Sequence, residues 1–217
     1  MSRSFRLGIT GKIGSGKSIF SGLLREQGIT VLDTDALAKE VMVSDAELRS
    51  GLISLFGPDT YTGDKLNTSF LASQIFTDEE KRLAVERIVH PKVTELLEKN
   101  FAQAKAGTIV AVESALLLQT GYDEIFDALI LISSSDESVF ERNKTIQKFS
   151  EEDLLARLHD QAFSQEDEAD ADFTIANDST LEQFIERSRK VIAIITVMAM
   201  GELPKEPLRS IVDEEEL

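Results

Sequence analysis

The chain has 217 residues, 42% of them hydrophobic, enough for one large core or a core with inserted subdomains; having no cysteine and two histidines, it excludes disulfides, thiolate nucleophiles and cysteine-ligated zinc. A formal net charge of −16 argues against a nucleic-acid partner, because phosphate backbones are bound by basic surfaces. No apolar run approaches the roughly 20 residues of a membrane span, and MSRSFRLGIT lacks the apolar stretch and cleavage site of a leader, so a soluble, cytoplasmic protein without a membrane partner is expected.

Residues 4–10, SFRLGIT, alternate Phe5, Leu7 and Ile9 and predict a strand. Residues 17–28, KSIFSGLLREQG, carry Ile19, Phe20, Leu23 and Leu24 at helical spacing and stop at Gly28. Between them run Gly11, Lys12, Ile13, Gly14, Ser15, Gly16, Lys17 and Ser18, the pattern G-x-x-x-x-G-K-[ST] of a phosphate-binding loop. Such a loop needs a strand before it and a helix after it, so that backbone N–H groups curl around an oligophosphate at the positive helix end. In so acidic a chain the positive charge for a nucleotide must be local, and Lys12 and Lys17 supply it. Lys17 would neutralise the terminal phosphates and the Ser18 hydroxyl would ligate magnesium. The competing reading is a glycine-rich turn without a ligand.

Residues 28–35, GITVLDTD, predict a second strand ending in two acids; 108–114, TIVAVES, a third ending at Glu113; 127–133, DALILIS, a fourth; and 172–178, DFTIAND, a fifth. Continuous apolar strands separated by helical patterns imply a parallel α/β sheet covered on both faces. Residues at the carboxyl ends of such strands face the ligand crevice, which singles out Asp33, Asp35 and Glu113. Between the second and third strands some seventy residues of helical pattern form an inserted subdomain. There Leu48, Leu52, Ile53 and Phe56 share one face, as do Leu83, Ile88, Val89, Val93, Leu96 and Leu97, and Pro91 is expected to break or restart the helix after His90. A second insertion, about 136–170, mixes Arg142, Lys144, Lys148 and Arg157 with many acids, including Glu166, Asp167 and Glu168; it reads either as a lid or as solvated surface. The last helical pattern, 181–200, ends in VIAIITVMAM, which is too short for a bilayer and is expected to be buried against the sheet or in an oligomer interface. The remainder, 201–217, reads as a loose acidic tail.

Taken together, LGITGKIGSGKS, GITVLDTD, LISLFGPD, HPKV, ALLLQTGYDEIFDALILI, ERN and ADFTIAND, in that order and spacing, resemble the dephospho-coenzyme A kinase family from the first strand to about residue 180. The resemblance implies a P-loop kinase with ATP and Mg2+ and with dephospho-coenzyme A as acceptor. The γ-phosphate would go to the ribose 3′-hydroxyl. It implies one P-loop kinase domain: a core of residues 1–34, 107–135 and 171–200, a helical acceptor-binding insertion at 35–106, and a lid at 136–170. A ribose hydroxyl is a poor nucleophile, so a carboxylate must accept its proton; Asp33 is the expected base, with a helix cap or a magnesium-shell ligand as alternatives and Asp35 as the expected cap of the next helix. Glu113 either holds magnesium through water or is a strand-end acid. Arg142 either neutralises the transferred group or forms a surface ion pair, and Asn177 either contacts the adenine or caps the final helix. Acceptor contacts are expected from Thr10, Asp33, His90 and Leu117, with fixing of the junction before Pro91 as the other reading of His90.

The departures from the family pattern are Ala115 for a proline, Gln119 for a glutamate, Thr68 for the arginine of L-[DN]-R, and Ile146 for a second lid arginine. Each lost arginine contact would cost on the order of 2 kcal/mol of transition-state stabilisation if nothing replaces it. Lys65, Lys144 and Lys148 are near in sequence, but a lysine does not reproduce a bidentate arginine contact. The alternatives to a dephospho-coenzyme A kinase are a kinase of the same architecture acting on another small molecule and a nucleotide-binding regulatory protein without turnover.

Overall fold

The computed structural model describes residues 3–75, 78–117, 125–146, 149–161 and 170–201, with only the backbone of Asp160. Gln119, Lys148, Glu166, Asp167, Glu168 and the tail from residue 202 onward lie outside the described residues. Residues 1–31 and 104–217 form one compact unit, and residues 32–103 form another.

The first unit is built on a five-stranded sheet. The strands of the sheet are β1 (Phe5–Thr10), β2 (Thr30–Asp33), β5 (Ile109–Glu113), β6 (Ala128–Ser133) and β7 (Phe173–Ala176), in the order β2-β5-β1-β6-β7, with Leu32 and Asp33 of β2 counted in the second unit. Strand β1 is central and runs parallel to both neighbours, Leu7 lying opposite Ala111 on one side and Ala128 on the other, and β6 runs parallel to β7. Parallel neighbours need crossovers, and helices supply them. Every second strand residue, Phe5, Leu7, Ile9, Ile130, Ile132, Phe173 and Ile175, enters one buried cluster with Phe20 and Leu24 of α1 (Lys17–Glu26) and with Phe184, Ile192 and Ile195 of α8 (Leu181–Ala199). The intervening Val110, Val112, Leu129 and Leu131 are buried as well, so both faces are covered and the sheet is the expected doubly covered α/β core. Helix α1 ends where expected: Gly28 takes a φ of 77°, and its N–H and that of Ile29 return to the carbonyls of Arg25 and Leu24.

Between β6 and β7 lie α6 (Asp136–Ile146) and α7 (Glu151–Asp160), whose Val139, Leu154 and Leu158 form a small apolar cluster of their own. Helix α8 begins in a capping box, Thr180 accepting from the Gln183 N–H while the Gln183 side chain returns to the Thr180 N–H. The cap expected of Asn177 is therefore supplied by Thr180, because Asn177 lies too far before the first helical turn.

The second unit holds α2 (Thr34–Ser44), α3 (Ala46–Phe56), a short hairpin of β3 (Tyr61–Thr62) and β4 (Lys65–Leu66), α4 (Thr68–Ile75) and α5 (Glu79–Gln103). Helix α5 runs unbroken through Pro91, contrary to expectation. Pro91 is exposed and the carbonyl it leaves unpaired belongs to Arg87, also exposed, where water can take the bond. The buried stripe Val85, Val89, Val93, Leu97 and Phe101 offsets a proline penalty of roughly 3 kcal/mol, since each such side chain contributes about 1.5–3 kcal/mol on burial. Val85 rather than Leu83 opens that stripe, Leu83 being 43% exposed. With no break at Pro91 there is no junction for His90 to fix; its carbonyl accepts from the Thr94 hydroxyl within the helix.

Among the described residues no helix is long and apolar enough to cross a membrane. The apolar end of α8 is core: Val191, Ile192, Ile195 and Met198 are buried, while Met200 just beyond is 64% exposed. Truncating Ile195 to Ala should cost about 2–5 kcal/mol, or roughly 4–20 °C of thermal midpoint. Met200→Ala should change the midpoint by less than about 2 °C, and equal effects of the two in a thermal scan would contradict this packing.

Candidate functional site

The turn from β1 into α1 is the site's floor. Its glycines take backbone angles that other residues resist, φ being 148° at Gly11, 73° at Gly14 and 112° at Gly16, the last serving as the N-cap of α1 without any side chain. The result is a concave row of amides: the N–H groups of Gly14, Gly16 and Ser18 donate to no acceptor among the described residues. Such groups at a helix N-terminus form an anion site. Gly16 is also required by space, because a Cβ there would lie 2.5 Å from Asn177 Nδ2 and 3.3 Å from the Phe184 ring.

The side chains around this turn are held by the turn itself. The Lys17 ammonium folds back, donating to the carbonyls of Gly11 and, at 2.9 Å, Lys12. Lys12 reaches outward to Asp136 at the start of α6, Nζ to Oδ1 3.1 Å. Ser18 Oγ donates to Glu113 Oε1 at 3.3 Å, bringing the two expected metal ligands together, and Glu113 is 9% exposed. Among the described residues, Thr10 Oγ1 and Ser15 Oγ are buried without hydrogen-bond partners, one at the end of β1 and one in the turn. Leu117, 1% exposed, is a core residue following β5.

Asn177 donates from Nδ2 to the Ser15 carbonyl at 2.6 Å, so it clamps the glycine turn from the end of β7. Its own carbonyl accepts from Arg142 Nη1 at 2.8 Å, and Arg142 Nη2 donates to Ser134 Oγ. Burial lowers the Arg142 pKa and the nearby Asp178 opposes that; the group stays charged. Asp178 Oδ1 accepts from the Ser135 N–H at 2.8 Å and from the Ser134 and Ser135 hydroxyls. Burial pushes the Asp178 carboxyl up, but the Ser135 N–H and the hydroxyls of Ser138, Ser135 and Ser134 outweigh it and leave the group below the ordinary carboxylate range.

Asp33 ends β2 and belongs to the second unit's side of the division. Its Oδ1 accepts from the N–H groups of Asp35 and Ala36 at 2.9 and 3.2 Å, so Asp33, and not Asp35, is the N-cap of α2. Sequence reasoning put the cap two residues late because DALAKEV reads as a helix from Asp35, whereas Thr34 and Asp35 already form its first turn. The other oxygen, Oδ2, is exposed and unbonded among the described residues.

Four further residues touch the site and were not singled out from the sequence. Asp136 pairs with Lys12, Ser134 and Asp178 brace Arg142, and Gln161, just past α7, accepts the Ile13 N–H at 2.6 Å. Asp178 carried a trace of signal, standing next to Asn177 in the quoted ADFTIAND; Gln161 carried none. Of the positions where an arginine was expected, Thr68 is the first residue of α4 and Ile146 ends α6 with 65% of its surface exposed. Lys144 is hydrogen-bonded to Glu141 on its own helix and is exposed.

A family model described as dephospho-CoA kinase matches residues 5–183. The dephospho-CoA kinase of Syntrophotalea carbinolica is 33% identical over 199 residues, covering 90% of this chain and 92% of its own. Among solved structures, TT1252 from Thermus thermophilus shares 32% identity at a TM-score of 0.74, over 88% of this chain and 97% of its own. A dephospho-CoA kinase from Campylobacter jejuni shares 25% identity at a TM-score of 0.62, with the same coverage of both chains.

The Asp178 network carries a pH signature. A carboxyl held below its unfolded value of about 3.9 adds stability above that value, and the contribution disappears as the pH falls through the folded pKa. Asp178→Asn should therefore lose stability near neutral pH and show a smaller further drop than the unsubstituted protein between about pH 5 and 3. Urea midpoints measured across that range check this; parallel curves for the two proteins would refute it.

Proposed function

The chain belongs to the dephospho-CoA kinase family, and from that premise we propose how its own residues move the ATP γ-phosphate to the ribose 3′-hydroxyl of dephospho-CoA. It is an ATP-dependent phosphotransferase with an alcohol acceptor. The phosphates sit in the glycine turn, receiving hydrogen bonds from the N–H groups of Gly14, Gly16 and Ser18. Lys17 exchanges its bonds to the Gly11 and Lys12 carbonyls for the phosphate oxygens, a move between alternatives a few ångströms apart on a flexible side chain. Lys12 adds positive charge beside it. Asn177 keeps the turn in shape through Ser15, and Arg142 supplies charge from α6 while its bonds to Asn177 and Ser134 restrict it to one setting.

Ser18 Oγ and Glu113 Oε1 are hard oxygen donors 3.3 Å apart, a set that fits Mg2+, which takes one or two protein ligands and fills its shell with water and phosphate. Among the described residues there is no group of three or more His, Asp or Glu side chains that would hold a metal without substrate. When bound, Mg2+ would neutralise charge between the β- and γ-phosphates.

The acceptor hydroxyl gives its proton to Asp33 Oδ2 as its oxygen forms the new bond to the γ-phosphorus, the bond from that phosphorus to the β-bridging oxygen breaks, and ADP leaves. The observation that carries this reading is the division of labour on Asp33: Oδ1 caps α2 and fixes the carboxylate, while Oδ2 is open to a substrate. Cap and base, alternatives in the sequence, are compatible in one residue. Of the other expected acceptor contacts, the partly exposed His90 is kept in this reading, while Thr10 and Leu117 are buried.

Asparagine caps a helix about as well as aspartate, so Asp33→Asn removes the base and spares the fold. In a coupled assay with ATP, Mg2+ and dephospho-CoA, Asp33→Asn should lower kcat by roughly 10²–10⁴ with ADP affinity within about threefold. Lys17→Ala should lower kcat/KM by about 10²–10³ and weaken ADP as well. Wild-type turnover of dephospho-CoA that survives Asp33→Asn would overturn the base assignment, and tight ADP binding without phosphorylation of dephospho-CoA would overturn the acceptor.

A further inference from the structure

Ile13 lies in the glycine turn, between Gly11 and Gly14, and it is held at both its ends. Its side chain packs against the apolar cluster of Val139, Leu154 and Leu158 from α6 and α7. Its backbone N–H donates to Gln161 Oε1 at 2.6 Å. Only the carbonyl end of the Gln161 amide can accept from an N–H, so the chemistry fixes which way this side chain faces. Gln161 is itself settled, its N–H closing on the Arg157 carbonyl at the end of α7. The next residue, Gly14, is as close to α6 as backbone allows, since a Cβ there would lie 2.7 Å from Val139 Cγ1.

We propose that Gln161 is a positioning residue for ATP binding: by accepting the Ile13 N–H it sets the leading half of the phosphate loop in its binding conformation and ties that loop to the α6–α7 pair. The physical reason is entropic. Ordering one backbone residue costs roughly 1–2 kcal/mol, and a loop with positive φ at three glycines has many other conformations to visit. A loop already ordered by its neighbours binds phosphate without that expense. The Ile13 side chain alone does not suffice, because apolar packing is non-directional and leaves the peptide plane free to turn, whereas a short hydrogen bond fixes it. Gln161 needs no contact with the nucleotide for this role; it acts through Ile13.

The inference rests on the phosphate loop binding a nucleotide, and it is tested without the acceptor. Gln161→Met keeps the length of the side chain and removes the acceptor. Calorimetric titration with Mg-ADP should show a Kd raised about tenfold. In steady state the KM for ATP should rise by a similar factor, while the KM for dephospho-CoA stays within twofold and the thermal midpoint without nucleotide within about 2 °C. A Kd for ADP within twofold of the unsubstituted protein overturns the proposal, as does a loss of affinity matched by a collapse of the nucleotide-free midpoint. Should the variant not fold, hydrogen exchange in the unsubstituted, nucleotide-free protein decides. A protected Ile13 amide supports the clamp, and one exchanging as fast as an open loop refutes it. Because ADP binding needs no acceptor, weakened ADP in the variant supports the role of Gln161 even if dephospho-CoA is not phosphorylated.

Discussion

A turn that binds phosphate must keep backbone N–H groups without partners of its own, and unpaired amides are what folded chains otherwise avoid. The first unit is arranged around that constraint. Gly11, Gly14 and Gly16 bend the backbone so that the amides of Gly14, Gly16 and Ser18 stay open. The Lys17 ammonium occupies two of the turn's carbonyls, and Asn177 takes a third at Ser15. Three N–H donors are left open while the carbonyls of Gly11, Lys12 and Ser15 are occupied, a balance that favours an anion. The sheet beneath it, with β1 central and Leu7 and Ile9 fully buried, gives the turn a rigid base from which to do this.

In a chain of net charge −16, binding a polyanion depends on keeping the surrounding acids occupied. The structure does so near the turn. Asp136 is paired with Lys12, Glu113 accepts from Ser18, and Asp178 is enclosed by three serines and a backbone N–H. Asp178 in turn favours the charged form of the half-buried Arg142, whose guanidinium closes on the carbonyl of Asn177. A path of hydrogen bonds thus runs from Ser134 through Arg142 and Asn177 to Ser15, connecting the ends of β6 and β7 to the glycine turn. Gln161 makes a second connection from the other end of the α6–α7 pair. With two such ties, α6 and the end of α7 are joined to the glycine turn.

Two of the departures from the family pattern lie at helix ends. Thr68 opens α4, a position where short hydroxyl side chains are well accommodated, and Ile146 is an exposed helix end. Among the described lysines near them in sequence, Lys144 is bonded to Glu141 on its own helix and Lys65 lies in the small hairpin.

Contiguous residues encode the features of this chain that are local. The glycine and lysine spacing of 11–18, flanked by an alternating strand and a helix ending at Gly28, specified the phosphate loop, because turn geometry is a local property of φ and side-chain size. The apolar runs gave the parallel sheet for the same reason, burial on both faces leaving its mark on every residue of a strand. Tertiary structure decided what depends on a competition or on a distant partner. Pro91 stays within α5 because the stripe from Val85 to Phe101 outweighs a local penalty that the sequence displays in isolation. Asp33 rather than Asp35 is the cap because the backbone is still extended at Asp33 and helical from Thr34, and the cap of α8 passes from Asn177 to Thr180 while Asn177 reaches across 162 positions to Ser15. Gln161 meets Ile13 across 148 positions, a separation at which periodicity and spacing carry no information, and only the folded packing of α6 and α7 on the loop brings acceptor to donor.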